Sequence, residues 1–382
     1  MKNILILLPG PFLKRDHKRF GIDILKKTFL VHILDPTAWL NQSFWKTYLK
    51  ESYQGKEIVV ISSKKDFLDF ISKIDTAIVL DCTSHNKKTN WMRTLLKNKN
   101  CLSVRIYINN TPLPKKNFLK FLFTTIIKPR KSIFKLYNIL QREYYNKKYV
   151  PDICVYDGLA SLNTSKAQNK VGAHCSDYDT YLDIKNKPIK KDNPYAVFLD
   201  EDMVYHPEHY QLEDYVPPVT EIQYYPTLIK FVKKFEIESG LKIKFALSPK
   251  SYNKNLPNIL KDIDYSIGNT AELVKNSNAV LVHCSTAISY AILFKKPIFF
   301  LTSNELSKSW IGPRIDNFAK TLGSRPINMS NNLNEKLDFQ NLFKIDETKY
   351  KNYLDLYLKV PNSQEIPLYQ ILTEYLKKGK YV

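Results

Sequence analysis

Acidic residues, glycine and long apolar runs are all in short supply in this 382-residue chain. Asp and Glu number 37 against 58 Lys and Arg, which leaves a net charge of +21. A deficit of that size points to an anionic partner: nucleic acid, an anionic membrane or an anionic substrate. Part of it can equally reflect the lysine and asparagine bias of an AT-rich genome. No stretch approaches the roughly eighteen uncharged apolar residues of a membrane span, so a spanning helix is excluded. The opening Met-Lys-Asn-Ile-Leu-Ile-Leu-Leu-Pro-Gly reads as a buried first strand ending in a turn, not as a signal peptide. Five cysteines (Cys82, Cys101, Cys154, Cys175 and Cys284) are scattered without CxxC spacing. This excludes a disulfide or zinc framework and fits the reduced thiols of a cytoplasmic protein. Glycine is limited to ten, and no internal repeat recurs at a fixed period.

The chain does hold material for two cores. Hydrophobic residues make up 44% and aromatics 13%, and the length suits two domains rather than one. Apolar runs without polar alternation are expected to be strands at Ile4–Leu8, Val31–Leu34, Ile58–Ile61, Thr76–Leu80, Leu102–Ile108 and Ile153–Tyr156. Helix-period segments lie between several of them: Lys14–Leu25, Thr37–Tyr48, Lys65–Ile71 and Trp91–Leu96. Strands of this kind, each followed by a helix, indicate a parallel sheet covered on both faces.

A polar, lysine-rich stretch, Asp183–Asn193, with Pro188 inside it and Pro194 directly after it, is the expected linker. The alternation then restarts, with strands at Ala196–Leu199, Lys242–Leu247, Ala279–Val282 and Pro297–Leu301. The helices expected among them are Thr227–Glu238, Thr270–Asn276 and Ser285–Phe294. The predicted fold class is therefore α/β, two Rossmann-like domains facing a cleft, divided as 1–190 and 191–382. The amphipathic C-terminal helix at Leu368–Leu376 is free to return to the first domain. Ligands of such sheets bind at the C-terminal ends of the strands.

Several motifs fall at those ends. A strand closes at His283 and is followed by Cys284, Ser285 and Thr286 at a helix start. Free amides and two hydroxyls there suit a phosphate, although plain N-capping by Ser285 explains the same residues. Asp200, Glu201 and Asp202 follow the first strand of the second half, with His206 and His209 just beyond. A carboxylate at Asp200 could attack an anomeric carbon or stabilise an oxocarbenium-like transition state. An acidic capping loop and, more remotely, a metal site are the competing readings. Asp157 and Gly158 end another strand, where Asp157 could act as a general base or merely form a turn. Arg15 and Arg19, beside Lys18, could hold a carboxylate or phosphate. His174 lies in a loop with Asp177 and Asp179, and Ser248, Lys250 and Ser251 end a second-half strand. Residues 115–150 hold ten Lys and Arg and one acid, Glu143, interleaved with aromatics. That segment fits either an anionic membrane surface or a solvated helix pair.

These residues carry a family resemblance. Tyr156-Asp157-Gly158 resembles the acidic-acidic-Gly motif of bacterial GT-B sialyltransferases. His283-Cys284-Ser285-Thr286 resembles their Ser-Ser/Ser-Thr motif, which holds the CMP phosphate. Their His-Pro motif corresponds here to Ser248-Pro249-Lys250, without the histidine. The Gly10-Pro11-Phe12 opening with Arg15 and Arg19, and the Phe198-Leu199-Asp200 segment with His206-Pro207, look closer to bacterial retaining β-Kdo transferases.

The resemblance implies the GT-B architecture, with an acceptor-side first domain and a nucleotide-sugar-binding second domain. It implies a metal-independent, cofactor-free glycosyltransferase that moves Kdo or a related ulosonic acid from its CMP ester to a surface-polysaccharide or lipid-linked glycan. Asp200 would be the nucleophile and Asp157 the proton-transfer partner. Ser285, Thr286, His283, Lys250 and Ser248 would serve the nucleotide, and Arg15, Arg19, His206, Gly158 and His174 the sugar or acceptor. The expected location is cytoplasmic, with peripheral contact to the inner membrane. The alternatives are an inverting sialyltransferase-like enzyme and, in another class, a basic nucleic-acid- or membrane-binding protein. No nucleic-acid motif is present, so nucleic acid is not the expected partner.

Overall fold

The computed structural model describes residues 1–48, 52–112, 129–164, 166–190, 193–206, 216–248, 258–331 and 336–381. Lys250, Ser251, His209 and the start of the basic segment at 115–128 lie outside the described residues. The chain divides into two compact units. One is made of Met1–Asn110, Lys115–Ser176 and Lys359–Val382, the other of Thr111–Pro114 and Asp177–Leu358.

The first unit holds seven parallel strands: β1 Asn3–Leu7, β2 Leu30–Asp35, β3 Ile58–Val60, β4 Ala77–Asp81, β5 Leu102–Tyr107, β6 Ile153–Tyr156 and β7 Asn169–Gly172. Their order is β3-β2-β1-β4-β5-β6-β7. The unbroken apolar character of β1 follows from covering both faces. Ile4 and Ile6 point into one core with Ile22, Leu25, Leu368, Leu372 and Leu376. Leu5 and Leu7, alternating to the other side, pack with Phe67, Ile71, Met92 and Leu96. The C-terminal helix Leu368–Lys378 is thus part of this core.

The single helix expected over Lys14–Leu25 is instead two, Lys14–Arg19 and Ile22–Lys26. Gly21 lies between them at φ +54°, and a Cβ there would stand 2.8 Å from Tyr369 of the C-terminal helix. The break therefore also admits the returning helix. Glycine supplies both the left-handed backbone and the space.

The second unit repeats the plan with six parallel strands: β8 Tyr195–Leu199, β9 Lys242–Leu247, β10 Tyr265–Ile267, β11 Ala279–Val282, β12 Ile298–Thr302 and β13 Ile327–Asn328. Their order is β10-β9-β8-β11-β12-β13. Aromatic edges fill its core, with Phe198 and Phe245 rings 5.0 Å apart and Phe235 and Phe299 5.3 Å apart.

The stretch expected to be a linker begins inside the helix Ser176–Ile184. Beyond it the backbone is held by Lys275, itself only 6% exposed. The Lys275 ammonium donates to the carbonyls of Ile184 and Lys187, and the Lys190 amide donates to Asn276 at 3.0 Å. These lysine-rich residues are thereby fastened to the second unit.

Both sheets change direction at a definite place. In the first unit the chain runs outward from β1 through β2 and β3, then resumes on the other side at β4. In the second the same reversal falls between β8 and β11. Loops leaving adjacent strands at such a reversal part to opposite sides and open a crevice beyond the strand ends.

Candidate active site

In the second unit that crevice is a cavity of about 460 Å³. Asp200 and Glu201 leave the end of β8 and form one wall, and Cys284, Ser285 and Thr286 leave the end of β11 and form another. Ser248 at the end of β9, His206, Thr270 and Arg314 complete the polar lining. Five residues singled out in the sequence, Asp200, Ser248, His206, Ser285 and Thr286, therefore share one cavity.

The loop after β8 is shaped by its own carboxylates. The Asp202 amide donates to Asp200 Oδ1 at 3.3 Å, and Asp202 Oδ1 accepts the Tyr205 amide at 3.0 Å. Asp202 adopts φ +49°, a left-handed conformation that short polar side chains tolerate. The turn delivers Asp200 to the cavity wall with 7% of its surface exposed.

The segment after β11 departs from expectation. The helix runs over Ile288–Leu293 rather than from Ser285. Ser285 and Thr286 occupy a preceding turn, in which Ser285 Oγ accepts the Ala287 amide at 3.2 Å. Ala287 precedes the helix and no side chain caps it, so Ser285 shapes the turn rather than capping the helix, while Ser285 and the exposed Thr286 still line the cavity.

His283, expected at the phosphate, is wholly buried in the core instead. Its Nδ1 lies 2.7 Å from the Leu301 carbonyl and its Nε2 2.8 Å from the Tyr224 hydroxyl. A carbonyl only accepts, so Nδ1 carries the proton and the tyrosine donates to Nε2. Burial pushes its pKa down to about 4, which keeps the ring neutral. Its neighbour Cys284, not His283, reaches the cavity.

Two residues given no role in the sequence reading stand out here. Glu201 Oε1 accepts the Cys284 amide at 2.8 Å, tying the β8 loop to the β11 loop. Burial raises its pKa to about 7, against the opposing pull of that amide and of Arg314. Arg314, from the helix Gly312–Thr321, stacks its guanidinium 5.5 Å from the Phe318 ring and lines the same cavity. Its Nε is buried without a hydrogen-bond partner. Glu201 was legible as one of three consecutive acids, but Arg314 carries no local sequence signal. Among the described residues no group of three or more His, Cys, Asp or Glu is placed to hold a metal ion.

The raised Glu201 pKa has a measurable consequence. The folded state holds a proton that the unfolded chain releases at lower pH. Stability is therefore fully present below the unfolded value of 4.5 and is lost as pH rises through about 7. The melting temperature of the second unit should fall between pH 5 and 8, and Glu201→Gln should flatten that slope. An unchanged slope in the variant would assign the proton elsewhere.

The remaining residues belong to the first unit. Asp157 is fully buried and accepts from the Asn109 amide, the Asn110 amide at 3.4 Å and the Ser161 hydroxyl at 2.6 Å. Burial nonetheless raises its pKa to about 6. Gly158 is extended at φ −172°, a conformation open to any residue. His174 is fully buried, with Nδ1 3.1 Å from the Cys175 carbonyl and Nε2 2.8 Å from that of Ile366. His174 thus ties the segment after β7 to the lead-in of the C-terminal helix. Arg15 and Arg19 are exposed on the first helix, and Arg15 Nε lies 3.9 Å from Asp16.

No family model matches this sequence, and no curated protein matches it. Solved structures do match in fold. One of MnaA from S. aureus with UDP is 13% identical, with TM-score 0.51, covering 100% of this chain and 98% of that one. Apo UGT2 of Phytolacca americana is 11% identical, with TM-score 0.51 and full coverage of both chains. CalG4, the calicheamicin glycosyltransferase, is 9% identical, with TM-score 0.51 and 99% coverage of each. Together with the two six- and seven-stranded parallel sheets, these likenesses define the fold as GT-B, two Rossmann-like domains in one chain.

Proposed function

We propose that the chain is a glycosyltransferase that moves Kdo or a related ulosonic acid from its CMP ester to a surface-polysaccharide or lipid-linked glycan. The reading is supported by a cavity at the switch point of the second sheet that joins a carboxylate pair to an anion-receiving wall. The observation that carries it is that Arg314, with an unpartnered Nε, lines one cavity together with Ser285, Thr286 and Asp200. Guanidinium and hydroxyl donors meet the charge of a departing phosphate, and a carboxylate within reach can attack the sugar.

In the retaining form, an Asp200 oxygen bonds to the anomeric carbon while the carbon–oxygen bond to phosphate breaks and its electron pair leaves with CMP. The acceptor hydroxyl then bonds to that carbon from the opposite face and releases Asp200 as a carboxylate. The hydroxyl proton passes to a base, and Glu201, poised near neutrality, is the candidate in this cavity. Asp157, enclosed by three donors, is assigned to holding the Asn109–Asn110 turn rather than to proton transfer.

The donor assignment is tested by thermal stabilisation. CMP at a hundredfold excess over its Kd should add about 2.7 kcal/mol to the unit that binds it. UDP, GDP and ADP should add far less. Stabilisation by UDP with none by CMP would remove the CMP-sugar donor while leaving transfer chemistry possible.

Peripheral membrane contact is a further part of the reading. No helix among the described residues is long and apolar enough to cross a membrane. The helix Pro129–Lys148, however, exposes Ile133 (64%), Leu136 (46%), Leu140 (57%) and Tyr144 (58%) along one stripe. Six Lys and Arg against a single acid, Glu143, occupy the same helix. That combination suits the surface of an anionic bilayer. The protein should sediment with phosphatidylglycerol vesicles and not with phosphatidylcholine ones, and Leu136→Ser with Leu140→Ser should abolish it. Equal sedimentation of the double variant would dismiss the helix as the contact.

A further inference from the structure

The first unit contains a cavity of its own, about 380 Å³, that the proposed transfer does not use. It lies against β5 and the helix Lys87–Asn98, and its charged end is built on Asp81 at the end of β4. Asp81 Oδ2 accepts Arg93 Nε at 2.6 Å, and Oδ1 accepts the Thr83 amide at 2.9 Å and the Thr83 hydroxyl at 2.7 Å. Arg93, 8% exposed, has its other donors engaged by Thr89, Asn90, Thr83 and Ser84. Asp81 and Arg93 therefore satisfy one another within a closed local network.

Arg105 is the charge left over. It donates to the Thr83 carbonyl at 3.0 Å and reaches Asp81 only at 3.5 Å, with 18% of its side chain exposed. The cavity wall has three cations, Arg93, Lys97 and Arg105, against two carboxylates, Asp81 and Asp152. Asp152 is itself held by the Ser103 amide and hydroxyl, both at 2.7 Å. A guanidinium walled by protein that shares its one carboxylate, at 3.5 Å, with a closer arginine favours a further anion.

His85 adds a second, independent requirement. It lines the cavity, is 9% exposed, and its Nδ1 is buried with no hydrogen-bond partner. Its ring is bonded to Asn146, which leaves that contact to Nε2, and burial with the two arginines nearby lowers its pKa to about 4. A neutral ring that gives its one N–H to Asn146 presents a lone pair at Nδ1. What satisfies it is a donor, such as a hydroxyl.

We infer that the first unit binds a small hydroxy acid of the sugar-acid type, its carboxylate on Arg105 and a hydroxyl on His85 Nδ1. The wall beyond is apolar, with Val79, Leu96, Cys101 and Val104, and takes the ligand's carbon skeleton. The site stands on the first unit alone; only the choice of a sugar acid as probe rests on the transferase reading.

Calorimetric titration with glucuronate, glucose and glucose 6-phosphate tests it on the full chain. Glucuronate should bind, and glucose should bind at least about tenfold more weakly for want of the charge-assisted bond. Arg105→Gln should weaken glucuronate by a similar factor while leaving thermal stabilisation by CMP intact. If Arg105→Gln melts early, His85→Leu supplies the test, since it removes the acceptor and leaves the arginines in place. Absence of glucuronate binding, equal binding of glucose, a preference for glucose 6-phosphate, or indifference to both variants would each overturn the assignment. Loss of CMP stabilisation in the wild type with glucuronate binding intact would strike the transferase reading and spare this site.

Discussion

Asp200→Asn should fold, should still be stabilised by CMP, and should turn over on the order of 10⁴-fold more slowly than the parent. The amide keeps the shape of the carboxylate, and the local bond from the Asp202 amide to Oδ1 survives the change. What it lacks is the charge needed to attack an anomeric carbon. The effect should fall on kcat rather than on KM, because the removed interaction forms in the reaction and not in ground-state binding. Single-turnover assays with product anomer analysis separate the possibilities. Slow turnover with a retained anomer supports the adduct. Near-normal turnover sinks the nucleophile role, and an inverted product in the parent enzyme moves Asp200 out of the covalent step altogether.

Arg93→Met should lower the stability of the first unit by about 3–5 kcal/mol, the cost of leaving a buried charge without its partner. Asp81 and Arg93 are 9% and 8% exposed, and their carboxylate–guanidinium contact is 2.6 Å. Burial alone would raise the Asp81 pKa, but the Arg93 charge and hydrogen bonds, with Arg105 and Thr83, carry it below 3.8. The stabilisation is therefore present above pH 3.8 and is lost as pH falls through the lowered folded value. Adding Asp81→Asn to Arg93→Met should restore part of the loss, since a neutral amide then replaces the buried carboxylate, while Arg105 keeps its bond to the Thr83 carbonyl. Denaturant melts of the first unit's transition provide the measurement. A double variant no more stable than the single one would mean that packing, not the ion pair, carries the cost.

The strands legible in the sequence are the interior ones and one apolar edge strand, Ile58–Val60. Ile4–Leu8, Ala196–Leu199 and Ala279–Val282 lie in mid-sheet, covered on both faces, and burial demands apolar residues at every position. Three strands escaped notice: β7 Asn169–Gly172, β10 Tyr265–Ile267 and β13 Ile327–Asn328. Each is a sheet edge only two to four residues long with a polar residue in it, so no periodicity can develop. The polar residues at strand ends were readable for a related reason. A parallel sheet forces the chain to leave its core at each C-terminal end, and Asp200 with Glu201, and Ser285 with Thr286, stand at two such exits.

Residue order thus determined the alternation, the two sheets and the carboxylate and hydroxyl pairs, because each of these depends on neighbours within a few positions. Tertiary packing alone decided which polar groups share a cavity. It brought Arg314 to Asp200 across more than a hundred residues of chain and turned His283 inward onto Leu301 and Tyr224. It also enclosed Asp157 and His174, and left Arg105 beside an aspartate already matched by Arg93. Whether a side chain meets solvent, a ligand or a buried carbonyl depends on long-range contacts that a local pattern does not encode.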